Sequence, residues 1–403
     1  MTEFTVERAR AGDERALFDL IATALHRPAP HDDLWERCDP SVYSLDRKFA
    51  AYTPDGEPLG FTGSFRSDLA VPGGALVPAA AVDGVAVRAD STRRGILTGL
   101  MDRQLRDCAD RGEVAAMLHA SEATIYGRFG YGVAVKAAEV VVDSRRARLR
   151  PGVPLSGSVR MVDPERDPGL LPRAYRRVGP HRPGMMTRPD AWWQRGRHLV
   201  LGRGGHHAAV HFDDAGEPDG FVVYKPAASD HHGHVNSLWV RELHGADLGV
   251  RLNLWRFLLS IDLIEDIHAG GRPVDEPLDL VLTDPRAFRI TDVEDSLWLR
   301  LVDVPAALAA RTYGAAEPVL VGVTDRQLPA NSGCYRVGPD GVERVSADPE
   351  LEVDVETLAM LYLGHWRASL LGQTGRLGAN PDVLARADVL FTTAEPPWNG
   401  TGF

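Results

Sequence analysis

A strand with an internal glycine that runs into an arginine-rich turn is the feature that most restricts how this chain can fold. Residues 77–87 have the apolar pattern of a buried strand, and Gly84 lies inside it. An isolated glycine within a strand indicates a β-bulge, which turns backbone N–H groups away from the neighbouring strand. We therefore expect Val85 and Val87 to offer donors to a ligand carbonyl and to an extended chain of amides.

The turn after this strand has the composition of an anion site at a helix start. Arg93, Arg94 and Gly95 open a helix predicted over residues 94–111, where apolar side chains recur at helical spacing. Helix N-termini carry unpaired N–H groups and bind phosphate. The arginines add fixed positive charge and the glycine allows close approach, so a pyrophosphate site is predicted. The alternative is an arginine-flanked helix start whose glycine serves packing.

Composition narrows the class of protein. The net charge of −11 speaks against general nucleic-acid binding, which needs a basic face, and is compatible with cationic partners such as amines. The three cysteines, Cys38, Cys108 and Cys334, lie far apart, which argues for a reducing compartment and no disulfide framework. The acidic N-terminal residues and the lack of any run of about 18 apolar residues predict a cytoplasmic protein without a membrane span.

The length of 403 residues exceeds what one hydrophobic core usually organises. Strands and helices alternate over residues 1–150, and eight prolines between positions 151 and 189 indicate a boundary followed by loops. A second region of mixed strands and helices is predicted over 151–291, and a third over 292–403. The third region opens with a predicted strand at 297–302.

Turn and cap residues locate further elements of the third region. Gly-Pro-Asp-Gly at 338–341 predicts a hairpin turn. Asp354 and Asn380 are expected to cap helices at 355–363 and 381–387.

A fifteen-residue motif after a predicted buried strand gives the strongest indication of family. Residues 118–132 read Leu-His-Ala-Ser-Glu-Ala-Thr-Ile-Tyr-Gly-Arg-Phe-Gly-Tyr-Gly, with a short helix predicted at 122–128. The motif resembles the "enhanced intracellular survival" (Eis) branch of the GNAT N-acetyltransferase superfamily, in which A-S-E at a strand end is followed by I-Y-x-R-F-G-Y-G. The GNAT cofactor motif Q/R-x-x-G-x-G/A is matched in part, because Thr92 stands at its first position and Leu97 at its last.

The resemblance covers the whole chain and implies an α/β protein with mixed sheets. Two tandem GNAT-like folds would be followed by a domain similar to sterol carrier proteins, and both the segment 358–364 and the terminal Phe403 fit this pattern. The resemblance implies acetyl-CoA as acetyl donor, a small-molecule amine as acceptor and a homo-hexamer.

The resemblance also implies roles for individual residues. Tyr126 would be the general acid that protonates the leaving thiolate, and the terminal carboxylate of Phe403 would be the general base. From the inferred bulge, the Val85 N–H is expected to support the oxyanion. Tyr126 has a plainer alternative, in which its ring packs and its hydroxyl meets water. The residues expected to contact acetyl-CoA are Val85, Ala86, Val87, Arg93, Arg94, Gly95, Ile96, Leu97, Thr98, Ser121 and Glu122.

His119 is the rival base, since an imidazole titrates near neutrality. It could equally line the pocket or satisfy a hydrogen bond at the strand end. Trp35, Trp192 and Trp193 could wall an amine pocket through contacts of their ring faces with a cation.

Two further features of the sequence argue against a second acetyl-CoA site and against a metal site. The strand at 235–240 and the helix at 248–262 look like a second GNAT junction, but acidic residues replace the Arg-Arg-Gly turn, so one acetyl-CoA per chain is expected. A histidine cluster lies among turn residues without metal-site spacing, so we expect a solvated loop and no metal. Its members are His206, His207, His211, His231, His232, His234 and His244.

Three functions follow from these patterns. The leading one is acetylation of primary amines on small polycationic molecules such as aminoglycosides. The second is acetylation of protein lysines. The third, from another class, is a non-catalytic module that binds acyl-CoA or lipid.

Overall fold

The computed structural model describes residues 3–26, 45–196, 205–228 and 235–403. The strands within these ranges are β1 Thr5–Arg8, β2 Lys48–Tyr52, β3 Pro58–Ala70, β4 Leu76–Val87, β5 Ala115–Leu118, β6 Gly132–Asp143, β7 Ser158–Val162, β8 His207–Phe212, β9 Pro218–Ala228, β10 Val235–Gly245, β11 Asp266–Arg272, β12 Phe288–Leu301, β13 Val319–Thr324, β14 Gly333–Gly338, β15 Gly341–Val345 and β16 Leu351–Asp354. The helices are α1 Glu14–Ala24, α2 Ile96–Asp110, α3 Leu170–Val178, α4 Asp190–Gly196, α5 Leu248–Leu259, α6 Leu278–Val281, α7 Val304–Ala310, α8 Val355–Tyr362, α9 Ala368–Gln373 and α10 Pro381–Phe391.

A twelve-stranded sheet runs through most of the described chain, in the order β1-β2-β3-β4-β5-β12-β6-β11-β10-β9-β8-β7. It has two similar halves. The first half is β1-β2-β3-β4-β5-β12, in which β4 runs parallel to β5. The second half is β6-β11-β10-β9-β8-β7, in which β10 runs parallel to β11. β6 follows β5 in the chain but pairs with β11, and β12 follows β11 but pairs with β5. Each half is therefore completed by the last strand of the other half, and β6 and β12 pair at the centre.

Strand β12 crosses the boundary predicted between residues 291 and 292. It begins at Phe288 and ends at Leu301, and its last four residues pair with β5. The strand predicted at 297–302 is thus present, but it belongs to the large sheet and not to the last region. Its pairing partner lies far away along the chain, so no local pattern could reveal it.

The chain after β12 forms a smaller sheet with helices packed beside it. Its four strands lie in the order β15-β14-β13-β16, and the predicted hairpin is confirmed by the pairing of Gly338 with Gly341. Both predicted caps are confirmed, because the side chains of Asp354 and Asn380 accept hydrogen bonds from N–H groups of α8 and α10. In the described part of the chain, no helix has the length and apolar character needed to cross a membrane.

The prediction of a helix at 122–128 is wrong. The structure has a run of turns there that ends in a single 3-10 turn at Gly127–Phe129. Glycines explain the difference, because they let this loop approach α8 more closely than side chains would allow. Gly130 has a φ of +79°, and a Cβ at Gly132 would lie 2.3 Å from the carbonyl oxygen of Glu356.

A buried guanidinium links the large sheet to the last region. Arg300 on β12 is fully buried and donates two hydrogen bonds to the Asp325 carboxylate, at 2.7 and 2.8 Å. It also donates to the carbonyl of Phe129 at 2.8 Å, in the loop after β5. Three separate segments therefore depend on one charged side chain.

Replacing Arg300 with Met should lower the free energy of unfolding by about 3 kcal/mol, because the Asp325 carboxylate would stay buried without its partner. The matched control is Arg289→Met on the exposed part of the same strand, where the change should stay within about 0.5 kcal/mol. Chemical denaturation followed by circular dichroism measures both variants. Equal losses in the two would contradict the linking role of Arg300.

Candidate active site

Strands β4 and β5 part in front of helix α2 and leave a slot between them. They pair at three positions, the last of which joins Ala81 to Met117. β5 ends at Leu118, whereas β4 continues to Val87 beside β3. Beyond Ala81, β4 therefore has β3 on one side, and no described strand lies on its other side, where the main chain of residues 85–87 could meet a ligand.

The bulge predicted at Gly84 is present in this part of β4, where the strand pairs with β3. Asp83 lies opposite Gly63 and Ala86 lies opposite Phe61, so β4 contains one residue more than β3 between these pairs. Gly84 has a φ of +66°, a conformation that side chains disfavour. The sequence signal was local, and the structure places it beside the slot.

The start of α2 has the geometry of an anion site. Arg93 and Gly95 have φ values of +61° and +86°, and no side chain of the described residues caps the helix. The N–H groups of Ile96, Leu97 and Thr98 have no hydrogen-bond partner in the described part of the chain. A Cβ at Gly95 would meet no atom of the described residues within 4 Å, which leaves room for a ligand to approach. Unpaired donors, a helix dipole and the exposed Arg93 side chain together favour a phosphate here.

Tyr126 lies buried in the loop after β5. It is 5% exposed and packs in one apolar cluster with Val85, Leu97 and Leu118. Burial, with a smaller effect of the Glu122 charge, raises the pKa of Tyr126 to about 12. Its hydroxyl has no hydrogen-bond partner among the described residues, and it stays protonated across the neutral range.

The chain end lies at the same edge of β5. The Nε2 atom of His119 is 2.9 Å from the carbonyl oxygen of Thr401, and the rings of His119 and Phe403 are 4.7 Å apart. Phe65 of β3 meets the Phe403 ring edge-on at 5.8 Å. The last residue is therefore held by side chains from β3 and from the end of β5.

The imidazole of His119 is occupied by main-chain carbonyl groups. Burial lowers the pKa of His119, and the carbonyls of Thr401 and Ser296 raise it by a smaller amount. The neutral imidazole therefore prevails at pH 7. Since a carbonyl oxygen only accepts, Nε2 carries the hydrogen in its bond to Thr401 and has no lone pair free for a proton there.

The other residues predicted for the site do not all lie at the end of β5. Ser121 and Glu122 are exposed in the turn that follows β5. Trp35 lies outside the described residues. Trp192 lies beside the last residues of the chain, 396–403, which form its tail. The indole N–H of Trp192 donates to the carbonyl of Gly402 at 3.1 Å. The sequence offered Trp192 as a wall for an amine and gave no signal that it binds the chain end.

The histidine cluster does not form one solvated loop. His231, His232 and His234 lie outside the described residues, whereas His211 and His244 are almost fully buried in the second half of the sheet. The prediction is therefore wrong for these two. No group of His, Cys, Asp and Glu among the described residues has the arrangement of a metal site.

The corresponding helix start in the second half differs in charge. At α5 the carboxylate of Asp247 accepts the N–H of Val250 at 2.9 Å. A carboxylate at this point satisfies the helix and repels a phosphate.

The matches to family models define the class of protein. Residues 5–134 and 184–301 each match an acetyltransferase (GNAT) domain, and residues 304–400 match a sterol carrier protein domain. Together with the parted strands, the bulge and the open helix start, these matches define an N-acetyltransferase of the GNAT class, with acetyl-CoA as the acetyl donor.

Relatives along most of the chain give the family. N-acetyltransferase Eis of Mycobacterium tuberculosis is 36% identical over 358 residues, which cover 85% of both chains. An uncharacterized N-acetyltransferase of Streptomyces coelicolor is 38% identical over 377 residues, covering 89% of this chain and 90% of that one. The crystal structure of Eis1 from Mycobacterium abscessus has a TM-score of 0.87 and 34% identity, with 100% of both chains covered. The chain belongs to the Eis family of N-acetyltransferases, as the motif at 118–132 predicted.

Replacing Arg93 with Gln should weaken the binding of coenzyme A about fivefold, because a positive charge near the open helix start is lost. The loss should shrink in high salt, which screens exposed charges. The control is Arg106→Gln, an exposed arginine further along α2, which should bind as the unmodified chain does. Calorimetric titration at two salt concentrations measures both, and unchanged affinity in Arg93→Gln would count against a phosphate site at this turn.

Proposed function

We propose that the chain transfers the acetyl group of acetyl-CoA to primary amines of small polycationic molecules such as aminoglycosides. Tyr126 serves as the proton donor and the terminal carboxylate of Phe403 as the proton acceptor. The observation that carries the proposal is the contact of Thr401 and Phe403 with His119, the residue that directly follows β5 at the slot. By family resemblance and composition, the proposal includes a homo-hexamer in the cytoplasm.

The residues along the slot fit the donor. Val85, Ala86 and Val87 would hold its amide chain, and the turn from Arg93 to Thr98 would hold the pyrophosphate. Ser121 and Glu122 would line the other side, after β5. When bound, acetyl-CoA supplies a thioester carbonyl that an amine can attack. The Val85 N–H beside the bulge would stabilise negative charge on the carbonyl oxygen.

The base must take a proton from the amine, which reaches the site as an ammonium ion. A terminal carboxylate has a reference pKa of about 3.3–3.7, and an apolar setting raises this value and strengthens the base. The rings of Phe65 and His119 beside Phe403 provide such a setting. His119 itself is the weaker candidate, because its Nε2 donates to Thr401.

The acid must stabilise the leaving sulfur. With a pKa of about 12, Tyr126 retains its proton throughout the neutral range. It can donate a hydrogen bond and then the proton as negative charge grows on sulfur. Each turnover converts one ammonium ion and one thioester into an amide and a thiol, and releases one proton to solvent.

Acidic side chains on β12 favour a cationic acceptor. Asp295 is close enough to His119 for its charge to raise the imidazole pKa slightly. Burial raises the pKa of Glu294, and the neighbouring charges of Glu139, Asp292 and Asp295 raise it further. Such crowding of like charges, on the part of β12 that pairs with β6 beyond the end of β5, attracts a molecule with several amines.

The test is thiol release from acetyl-CoA with an aminoglycoside, a polyamine, a lysine peptide or no amine. We expect the aminoglycoside to give the fastest release, with a product heavier by one acetyl group. The Tyr126→Phe variant should lower kcat about 100-fold and leave the KM for acetyl-CoA within about twofold.

The control is Tyr131→Phe in the same loop, because the Tyr131 hydroxyl is buried without a partner in the described structure. The Tyr131→Phe variant should turn over normally.

Preference for the lysine peptide would overturn the substrate class in favour of protein acetylation. No amine-dependent release at all would overturn the enzyme assignment in favour of an acyl-CoA or lipid-binding module.

A further inference from the structure

The second half of the sheet repeats the parted strands of the first half. β10 and β11 run parallel and pair at four positions, the last of which joins Val240 to Ala269. Beyond it β10 continues to Gly245 and β11 to Arg272. β10 also has an irregularity in register directly after Val240. The second half therefore has a slot where the first half has its slot between β4 and β5.

The tail of the chain fills this second slot. The indole N–H of Trp398 donates to the carbonyl of Gly271 on β11 at 2.8 Å, and its ring lies 5.2 Å from that of His244 on β10. The guanidinium carbon of Arg272 is 5.2 Å from the centre of the same indole. Trp398 is 4% exposed. The side chain thus occupies the gap between the two strands, beyond the point where they pair.

Arg188 fixes the next residues of the tail. Its side chain is fully buried and donates to the carbonyl of Gly400 and to the hydroxyl of Thr401, both at 3.1 Å. It also pairs with Glu242 of β10 at 2.7 Å. Burial alone would raise the pKa of Glu242, but Arg188 and His244 lower it to about 2, so the pair is ionised.

Aromatic rings enclose the Arg188 guanidinium and limit its movement. Its central carbon lies 4.0, 4.3 and 5.1 Å from the ring centres of Tyr175, Trp192 and Trp193. Trp192 in turn donates to the carbonyl of Gly402. Every residue from Gly400 to Gly402 is therefore bound by Arg188, by His119 or by a side chain that packs on Arg188.

We propose that Arg188 is a positioning residue for the reaction. It locks Gly400 and Thr401 onto the second half and so sets the place of Phe403 at the first slot. One slot is used for the acetyl donor, and the equivalent slot holds the segment that carries the base. This inference rests on the proposed function, in which the Phe403 carboxylate accepts the proton. Since only two residues separate Gly400 from Phe403, a shift at Gly400 moves the carboxylate directly.

The test uses the full chain with Arg188→Lys, which keeps a positive charge for Glu242 but loses the fork of donors. The matched control is Arg311→Lys. Arg311 is also buried, packs on Tyr313 and Phe391, and donates to main-chain carbonyls. It has no contact with residues 396–403 in the described structure.

The first readout is removal of Phe403 by a carboxypeptidase, followed by intact mass. We expect removal about tenfold faster in Arg188→Lys, since about 1.4 kcal/mol of anchoring is lost, and an unchanged rate in Arg311→Lys. The second readout is turnover. Arg188→Lys should lower kcat about tenfold through misplacement of the base, with the KM for acetyl-CoA unchanged.

The two readouts separate the inference from the proposed function. An unchanged rate of Phe403 removal overturns the anchoring by Arg188, whatever happens to kcat. Faster removal with unchanged kcat supports the anchor and shows that the proposed role of the carboxylate is wrong. If the unmodified chain acetylates no amine, the proposed function fails, and the removal of Phe403 still decides whether Arg188 holds the tail.

Discussion

The parting of two parallel strands after a few residue pairs is the constraint on which the rest of the structure depends. β4 leaves β5 after Ala81, and β10 leaves β11 after Val240. Main-chain groups in such a gap need partners. In the second half the chain supplies them itself through Trp398 and Arg272, which donate to carbonyls of β11 and β10. In the first half, no described strand borders β4 on this side beyond Ala81.

The last region of the chain supports both residues of the proposed chemistry. Its helix α8 packs against the glycines of the Tyr126 loop, where a Cβ at Gly132 would collide with Glu356. Arg300 and Asp325 tie the same loop to β12. The tail that follows α10 carries Phe403 to the end of β5. A sterol-carrier-like region can thus be explained by its place in the site, without a lipid.

The features that the sequence predicted are those with local causes. The bulge at Gly84, the helix start at Gly95 and the cap at Asp354 each arise from the conformation of a few consecutive residues. The fifteen-residue motif placed the chain in its family for the same reason. Patterns of this kind can be read without knowledge of the tertiary structure.

The features that the sequence did not predict depend on contacts between distant segments. The exchange of β6 and β12 joins residues more than a hundred positions apart. Arg188 and Trp398 look like ordinary surface or core residues until the tail is seen in the second slot. His119 was a reasonable base by residue type, and its bond to Thr401 is what weakens that assignment.

The most direct measurement of the central claim is turnover of the full chain made with a terminal carboxamide by chemical ligation. This change keeps the Phe403 ring and removes the charge and the basicity of the last group. We expect kcat to fall about 100-fold while acetyl-CoA binds as before. Near-normal turnover of the carboxamide would contradict the account and return the base to His119 or to a group outside the tail.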